Sequence, residues 1–460
     1  MKLLLPLLAI SSLASAQLSG KVGPTTSHAT KTARKVCNIT SYGAKPGKTG
    51  DIGPAMTEAF NACKNGGTIV IPSGDWGLRT WVNMQNGKGF AIQWDGVIHR
   101  TGDAGGNMLL VQKSDDVEIF SSTGKGAFQG NGYEFHRKGS ITGPRILRFV
   151  RTTNFAVHDV LLIDAPSFHF SMDTCKNGEV YNMVIKGAYQ GGLDGIDVWS
   201  DNIHIHDVMV SNKDECVTVK SPAHNILVEN IYCNWSGGSA FGSLGEGVDI
   251  ANVIYRNVYT IQSNQMMMIK SRGGSGSVSN VLFENFIGHS NAYSLDIDQN
   301  WSPMKSHPGP GVGLRNITFK NWKGTCANGV QRPPIKIICS DDKPCVGIHI
   351  VDFAMWTDSG SSVQYQCKSA YGSGGCLKSG SGGAYATTSK TISSPPAGYN
   401  AVRMPGDLKT STGTKEPIAI PQMPSSFFPG KSPLKALAAG GAGGRLVELF
   451  NDVDEGFIES

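Results

Sequence analysis

Charge is scarce in this chain. Asp, Glu, Lys and Arg make up 17% of its 460 residues, which argues against a helical bundle. Beyond the first residues, no stretch nears the roughly 20 consecutive apolar residues that a bilayer span needs. No basic run carries interleaved aromatics, so a nucleic-acid partner is excluded as a reading. No cysteine cluster has zinc-ligand spacing with histidine, so neither a metal nor a cofactor is expected. What the chain has in plenty is glycine, 58 residues, as suits a turn-rich, β-dominated protein. The net charge of +5 gives a mildly basic surface toward an acidic polymer.

The chain opens Met-Lys-Leu-Leu-Leu-Pro-Leu-Leu and reaches Ala14-Ser15-Ala16 before Gln17. A basic residue, a short apolar run and an A-x-A site predict a secretory signal over residues 1–17. A secreted, extracellular monomer with no membrane span is expected. Ten cysteines then read as mostly disulfides. Proximity in sequence pairs Cys37 with Cys63, Cys216 with Cys233, Cys339 with Cys345 and Cys367 with Cys376, leaving Cys175 and Cys326 paired or as buried thiols. N-x-S/T sites at Asn38, Asn234, Asn300 and Asn316 predict glycosylated surface turns.

One pattern recurs. Asn154-Phe-Ala-Val-His-Asp-Val, Asn177-Gly-Glu-Val-Tyr-Asn-Met, Asn202-Ile-His-Ile-His-Asp-Val and Asn225-Ile-Leu-Val-Glu-Asn-Ile share it. It continues from Asn252, Asn280 and Asn316, and faintly from Gly347. Each copy has an Asn-led turn, an alternating strand and a second Asn or Asp. The early spacings are 23, 25, 23, 27 and 28 residues, the period of a solenoid. Stacked coils would place Asn over Asn and fill the bore with Val, Ile and Leu. His158, His204 and His206 then read as ordinary strand residues. Helical apolar spacing over 51–63 predicts a short N-terminal capping helix, and residues 68–71 a first strand. The expected all-β domain spans 18–425, with a flexible C-terminal tail over 426–460.

The chemistry lies in four acids. Asp194 and Asp197 flank Gly195 and Ile196; Asp214 and Glu215 follow about one coil later. A coil of roughly 23 residues stacks the two pairs, so they repel and some hold protons above the usual range. A protonated acid beside an ionised one is the equipment for hydrolysing a glycoside. The same spacing also fits a calcium-dependent lyase or a solvated acidic ladder.

The motifs Gly192-Leu-Asp194, Asp214-Glu-Cys216, Gly238-Ser-Ala-Phe-Gly-Ser-Leu-Gly245 and Met268-Ile-Lys270 resemble the polygalacturonase-like glycoside hydrolase family 28. That family carries N-T-D, D-D, G-H-G and R-I-K on a right-handed, pectin-lyase-like parallel β-helix. Here D-D reads Asp214-Glu215, the G-H-G histidine is absent, and Met268 stands for the arginine. The variant pattern is similar to the rhamnogalacturonase branch. The resemblance implies secreted endo-hydrolysis of rhamnogalacturonan I at the α-1,2 bond between galacturonic acid and rhamnose, with inversion, in plant cell-wall pectin degradation. It gives Asp214 as proton donor, Asp194 as base with Glu215 sharing that task, and Lys270 as binder of a substrate carboxylate. Asp197 is expected beside them. From position alone, His289 is a candidate substitute for the missing histidine, Asp173 an extension of the acidic row, and Tyr293 and Trp301 sugar-stacking aromatics. Inversion would set acid and base roughly 6.5–9.5 Å apart. Other readings are a polygalacturonase, a xylogalacturonan hydrolase, a calcium-dependent pectin lyase and a silent pectin-binding protein.

Overall fold

Asparagine accepts the left-handed backbone better than most residues, and this chain uses it to turn corners. Asn154, Asn177, Asn202, Asn225, Asn252, Asn280 and Asn316 all have φ between 51° and 59°. A second column, Asp159, Asn182, Asp207, Asn230, Asn257, Asn285, Asn321 and Asp352, lies between 49° and 59°. Two corners per coil bend each long strand, such as Ile196–Ser211 or Gly276–Asn291, across adjoining faces. The side chains bond along the stack: Asn202 Nδ2 donates to Asn177 Oδ1 and Asn225 Nδ2 to Asn202 Oδ1, both at 2.9 Å.

In the computed structural model, which describes residues 18–26, 35–139, 141–397, 399 and 412–424, these coils form a right-handed parallel β-helix of about 11 turns. The expected signal segment over 1–17 and the expected tail over 426–460 lie outside the described residues. Ile203, Ile226, Val253, Val281, Ile317 and Ile348 stack in register along the bore, all fully buried. Aromatics stack likewise, Phe283 on Phe319 at 5.1 Å and Phe286 on Trp322 at 4.3 Å. On the outside, His206, Glu229, Arg256, Glu284 and Lys320 share one register and alternate in charge.

The helix Gly53–Cys63 caps the N-terminal end, entered through Asp51 Oδ1, which accepts from Gly53 N at 3.0 Å. Cys37–Cys63 ties it to the strand Lys35–Asn38. That strand precedes Gly67–Ile71, so residues 68–71 are not the first strand. The coils also begin well before Asn154, with corners at Asn86, Asp116 and Asn131 that carry no repeating signature. At the far end, Thr388–Ile392 pairs antiparallel with Val363–Lys368 and covers the exposed edge of the last coils.

All four expected disulfides are present, and Cys175 and Cys326 are buried free thiols. Burial pushes both thiols up to about 12, so they are inert. The glycan sites separate. Asn300 is exposed and Asn38 half-buried. Asn234 is wholly buried with Nδ2 donating to the Tyr232 hydroxyl, which corrects its reading as a surface turn. Asn316 Nδ2 donates to Asn280 at 2.7 Å, so a glycan there would break the ladder.

Candidate active site

Asp194 ends the loop that leads into Ile196–Ser211, and Asp214 closes the turn before Glu215–Val219. The two coils approach closely because glycine lets them. A Cβ on Gly195 would sit 2.5 Å from Cys216 O, and one on Gly237 would sit 2.7 Å from Glu215 N. Gly195 N donates to Glu215 O at 2.9 Å, which sets Asp194 one rung from Glu215. Gly192 N donates to Asp214 Oδ2, and Glu215 N to Asp214 Oδ1 at 2.8 Å. The Cys216–Cys233 disulfide ties the start of this coil to its end, joining Glu215–Val219 to Ala223–Asn234.

The structure brings the expected acids together. One oxygen from each of Asp194, Asp214 and Glu215 lies within 4.8 Å of the other two. The fold gives the reason for this proximity: neighbouring rungs of a sheet are about 4.8 Å apart. Acids on adjacent rungs therefore inherit the rung spacing. Asp197 is fully buried beneath the cluster, with Lys220 Nζ 3.2 Å from its Oδ1. It supports its neighbours from below.

Two lysines neutralise the group. Lys220 Nζ reaches Asp194 at 3.4 Å as well as Asp197, and Lys270 Nζ bonds Glu215 Oε1. Val219, Phe241 and Ile269 stack in register, so Lys220 and Lys270 occupy the same position two coils apart and bracket the acids. Protons distribute accordingly. Burial, then the charges of Asp197, Glu215 and Asp214, raise Asp194 well above the usual carboxylate range. Burial and the hydrogen bond shared with Glu215 push Asp214 up to about 7. Glu215 goes the other way: against burial, the bond from Asp214 and the Lys270 ammonium hold it down to about 2. Lys220 stays charged because Asp197, Asp194 and Glu215 outweigh its burial. The site thus holds protonated and ionised carboxyl groups side by side, as general acid catalysis requires.

Other expected residues lie elsewhere. His289 ends Gly276–Asn291, its ring 5.5 Å from that of Tyr259, in register with Ile261. It sits three rungs beyond the Glu215 coil, about 14 Å along the axis, too far to orient an acid there. Asp173 lies one rung before the Asp197 coil, opposite Trp199, and is paired with Arg148 at 2.7 Å. Tyr293 begins Tyr293–Asp298, three rungs along the acidic face from Glu215. Arg332 and Lys336 stand 5.4 and 5.3 Å from its ring, and Lys336 pairs with Asp296 and Asp298.

Sequence reasoning missed Lys220, His169 and the group of Tyr189, Trp235 and Lys213. Lys220 had no motif to mark it. His169 donates from Nδ1 to Asp194 O at 3.0 Å while its Nε2 accepts from Ala165 N. Burial holds it down to about 4, so it is neutral and fixes the backbone of Asp194. Tyr189 and Trp235 meet edge-on at 5.7 Å, with Lys213 Nζ 4.4 Å from the Tyr189 ring, beside Asp214. Trp235 follows Asn234 at the same turn one coil after Lys213-Asp214, the one hint that the period offered.

Acid-bearing rungs on a parallel β-helix, one carboxyl group protonated and its neighbour ionised, define a solenoid glycoside hydrolase. Residues 65–376 match the glycosyl hydrolases family 28, and the chain belongs to that family. It is 61% identical over 429 residues to "Probable rhamnogalacturonase B" of Aspergillus fumigatus, covering 93% of this chain and 82% of that protein. It is 60% identical over 435 residues to "Rhamnogalacturonase A" of Aspergillus aculeatus, covering 95% and 99%. Among solved structures, endo-xylogalacturonan hydrolase from Aspergillus tubingensis superposes with a TM-score of 0.61 at 24% identity, covering 76% of this chain and all of that one. Polygalacturonase from Erwinia carotovora gives 0.57 at 16%, covering 73% and 97%. Both share the fold.

Proposed function

We propose that this chain is a secreted endo-hydrolase of rhamnogalacturonan I, acting on the α-1,2 bond between galacturonic acid and rhamnose. The observation that carries the chemistry is the pairing of protonated Asp214 with ionised Glu215, within reach of Asp194. Asp214 protonates the departing sugar oxygen. Glu215, the ionised member, serves as base for the water that completes hydrolysis, and Asp194 shares that task once it has given up its proton. Support for the substrate comes from relatives named rhamnogalacturonase over nearly the whole chain. Departures at Glu215, Ser239–Leu244 and Met268 argue in the same direction, away from a plain polygalacturonase.

Lys270 spends its charge on Glu215 here, so its part in gripping a substrate carboxylate is secondary to setting the charge of its neighbour. Tyr293 with Arg332 and Lys336, and Tyr189 with Trp235 and Lys213, each offer an aromatic face beside a cation, suited to a uronic acid. A calcium-dependent lyase is disfavoured by Lys220 and Lys270, which occupy the carboxylates that calcium would need.

The deciding experiment is a product profile on deacetylated rhamnogalacturonan and on homogalacturonan, with proton NMR of the fresh anomer. Cleavage of the first polymer with no ultraviolet-absorbing product and no effect of chelator is expected. Release of reducing ends from homogalacturonan alone would reject the substrate. The anomer decides the stereochemistry: inverted configuration, from direct attack by water, is expected, and retained configuration would mean a covalent intermediate and overturn the base assignment. Asp214→Asn should fold normally and lose about 10²–10⁴ in kcat; retained activity removes it as donor.

A further inference from the structure

We propose that Glu179, His204 and His206 form a binding site for a divalent transition metal of the zinc class, on a face of the solenoid around the corner from the acids. His204 and His206 alternate along the outer side of Ile196–Ser211, past the corner at Asn202, so both imidazoles point the same way. Glu179 lies directly across from His204 on the neighbouring strand. Glu179 Oε1 is 3.1 Å from His206 Nε2 and 3.7 Å from His204 Nδ1, and the three atoms lie within 4.8 Å of one another. Ligands on a tetrahedral zinc, with bonds near 2.0–2.1 Å, stand about 3.3 Å apart. Closing on an ion keeps these side chains in place but swings the stacked rings so that their in-plane lone pairs converge.

The surroundings supply what a metal site needs beyond its ligands. The remaining nitrogen of each ring bonds a carboxylate: His204 Nε2 to Glu229 and His206 Nδ1 to Asp207, both at 2.8 Å. Each bond holds the proton on the outward nitrogen, so that an ion displacing the inward proton of His206 would meet a lone pair there. The rings are held further by stacking, His204 on His206 at 4.2 Å and His206 on Tyr181 at 5.0 Å. The three ligand side chains are 15–19% exposed, which leaves one side open for water as fourth ligand. Glu179, Glu229 and Asp207 bring three negative charges, Arg256 offsets one through Glu229, and a dication answers the remainder. The rival occupant is a proton on His206, which Asp207 and Glu179 hold there against burial. Bound metal would staple Phe170–Lys186 to Ile196–Ser211.

The test is calorimetric titration of the full chain with ZnCl2 near pH 7.5, alongside cobalt spectroscopy with CoCl2. One equivalent of zinc should bind and raise Tm, and cobalt should give visible bands of imidazole coordination. Glu179→Gln and His204→Gln should each weaken binding at least tenfold while leaving hydrolysis unchanged. Asp214→Asn should bind zinc as the native chain does. Absence of heat and of cobalt bands, isotherms indifferent to His204→Gln, or loss of binding in Asp214→Asn would each overturn the assignment. The cobalt spectrum of the unmutated chain keeps the test decisive if a variant folds poorly.

Discussion

Single side chains decide the chemistry through their charge neighbours. Glu215 stays ionised because Lys270 and Asp214 both bond it, in opposition to its burial. Lys270→Met should therefore raise the Glu215 carboxyl, move the acidic limb of kcat/KM to higher pH and slow turnover; Lys270→Arg should restore much of the loss. A change in KM with the pH profile fixed would instead make Lys270 a pure substrate binder. The other limb is assigned to Asp214, which as the proposed donor must keep its proton. Its value of about 7 predicts that activity falls as pH rises through neutrality, while Glu215 remains ionised at any pH well above about 2. At this scale the acids were legible in the sequence as two carboxylate pairs one coil apart, although the spacing alone left a calcium site and an acidic ladder open. Lys220 and His169 were not, because a lysine and a buried histidine carry no spacing that marks them.

At the scale of the element, the unit is the corner. Each asparagine there serves twice, accepting a left-handed backbone and passing a hydrogen bond to the next coil. Asn202 has φ of 56° and bonds both Asn177 and Asn225. Asn202→Ala should cost about 1–2 kcal/mol for the backbone, plus about 1 kcal/mol for each ladder bond. Asn202→Gly should recover the backbone part alone, as urea unfolding would measure. Equal losses in the two variants would show that the ladder bonds carry the whole effect. The repeat made these corners readable from Asn154 onward. Before it, coils turn on Asn86, Asp116 and Asn131 at irregular spacing, so local chemistry was present without a period to reveal it.

For the molecule as a whole, the acid cluster is a liability that the stacked coils sustain. Burial and like charge raise Asp194 above its ordinary value of 3.8. A group raised on folding contributes its full stability below the unfolded value and loses it as pH climbs toward the folded one. Asp194→Asn should thus match the native Tm near pH 4 and exceed it at pH 7, while activity falls. An equal shift at both pH values would mean that packing, not charge, is the cause.

By itself the sequence determined the solenoid, its capping helix and the rung that carries the acids, because a period in the chain becomes a stacking in space. Only the folded structure decided which lysines neutralise which carboxylates, that the acids stand a single rung apart, and that His289 faces Tyr259. Those facts depend on the direction in which side chains leave coils that are distant in sequence, and no local pattern encodes that.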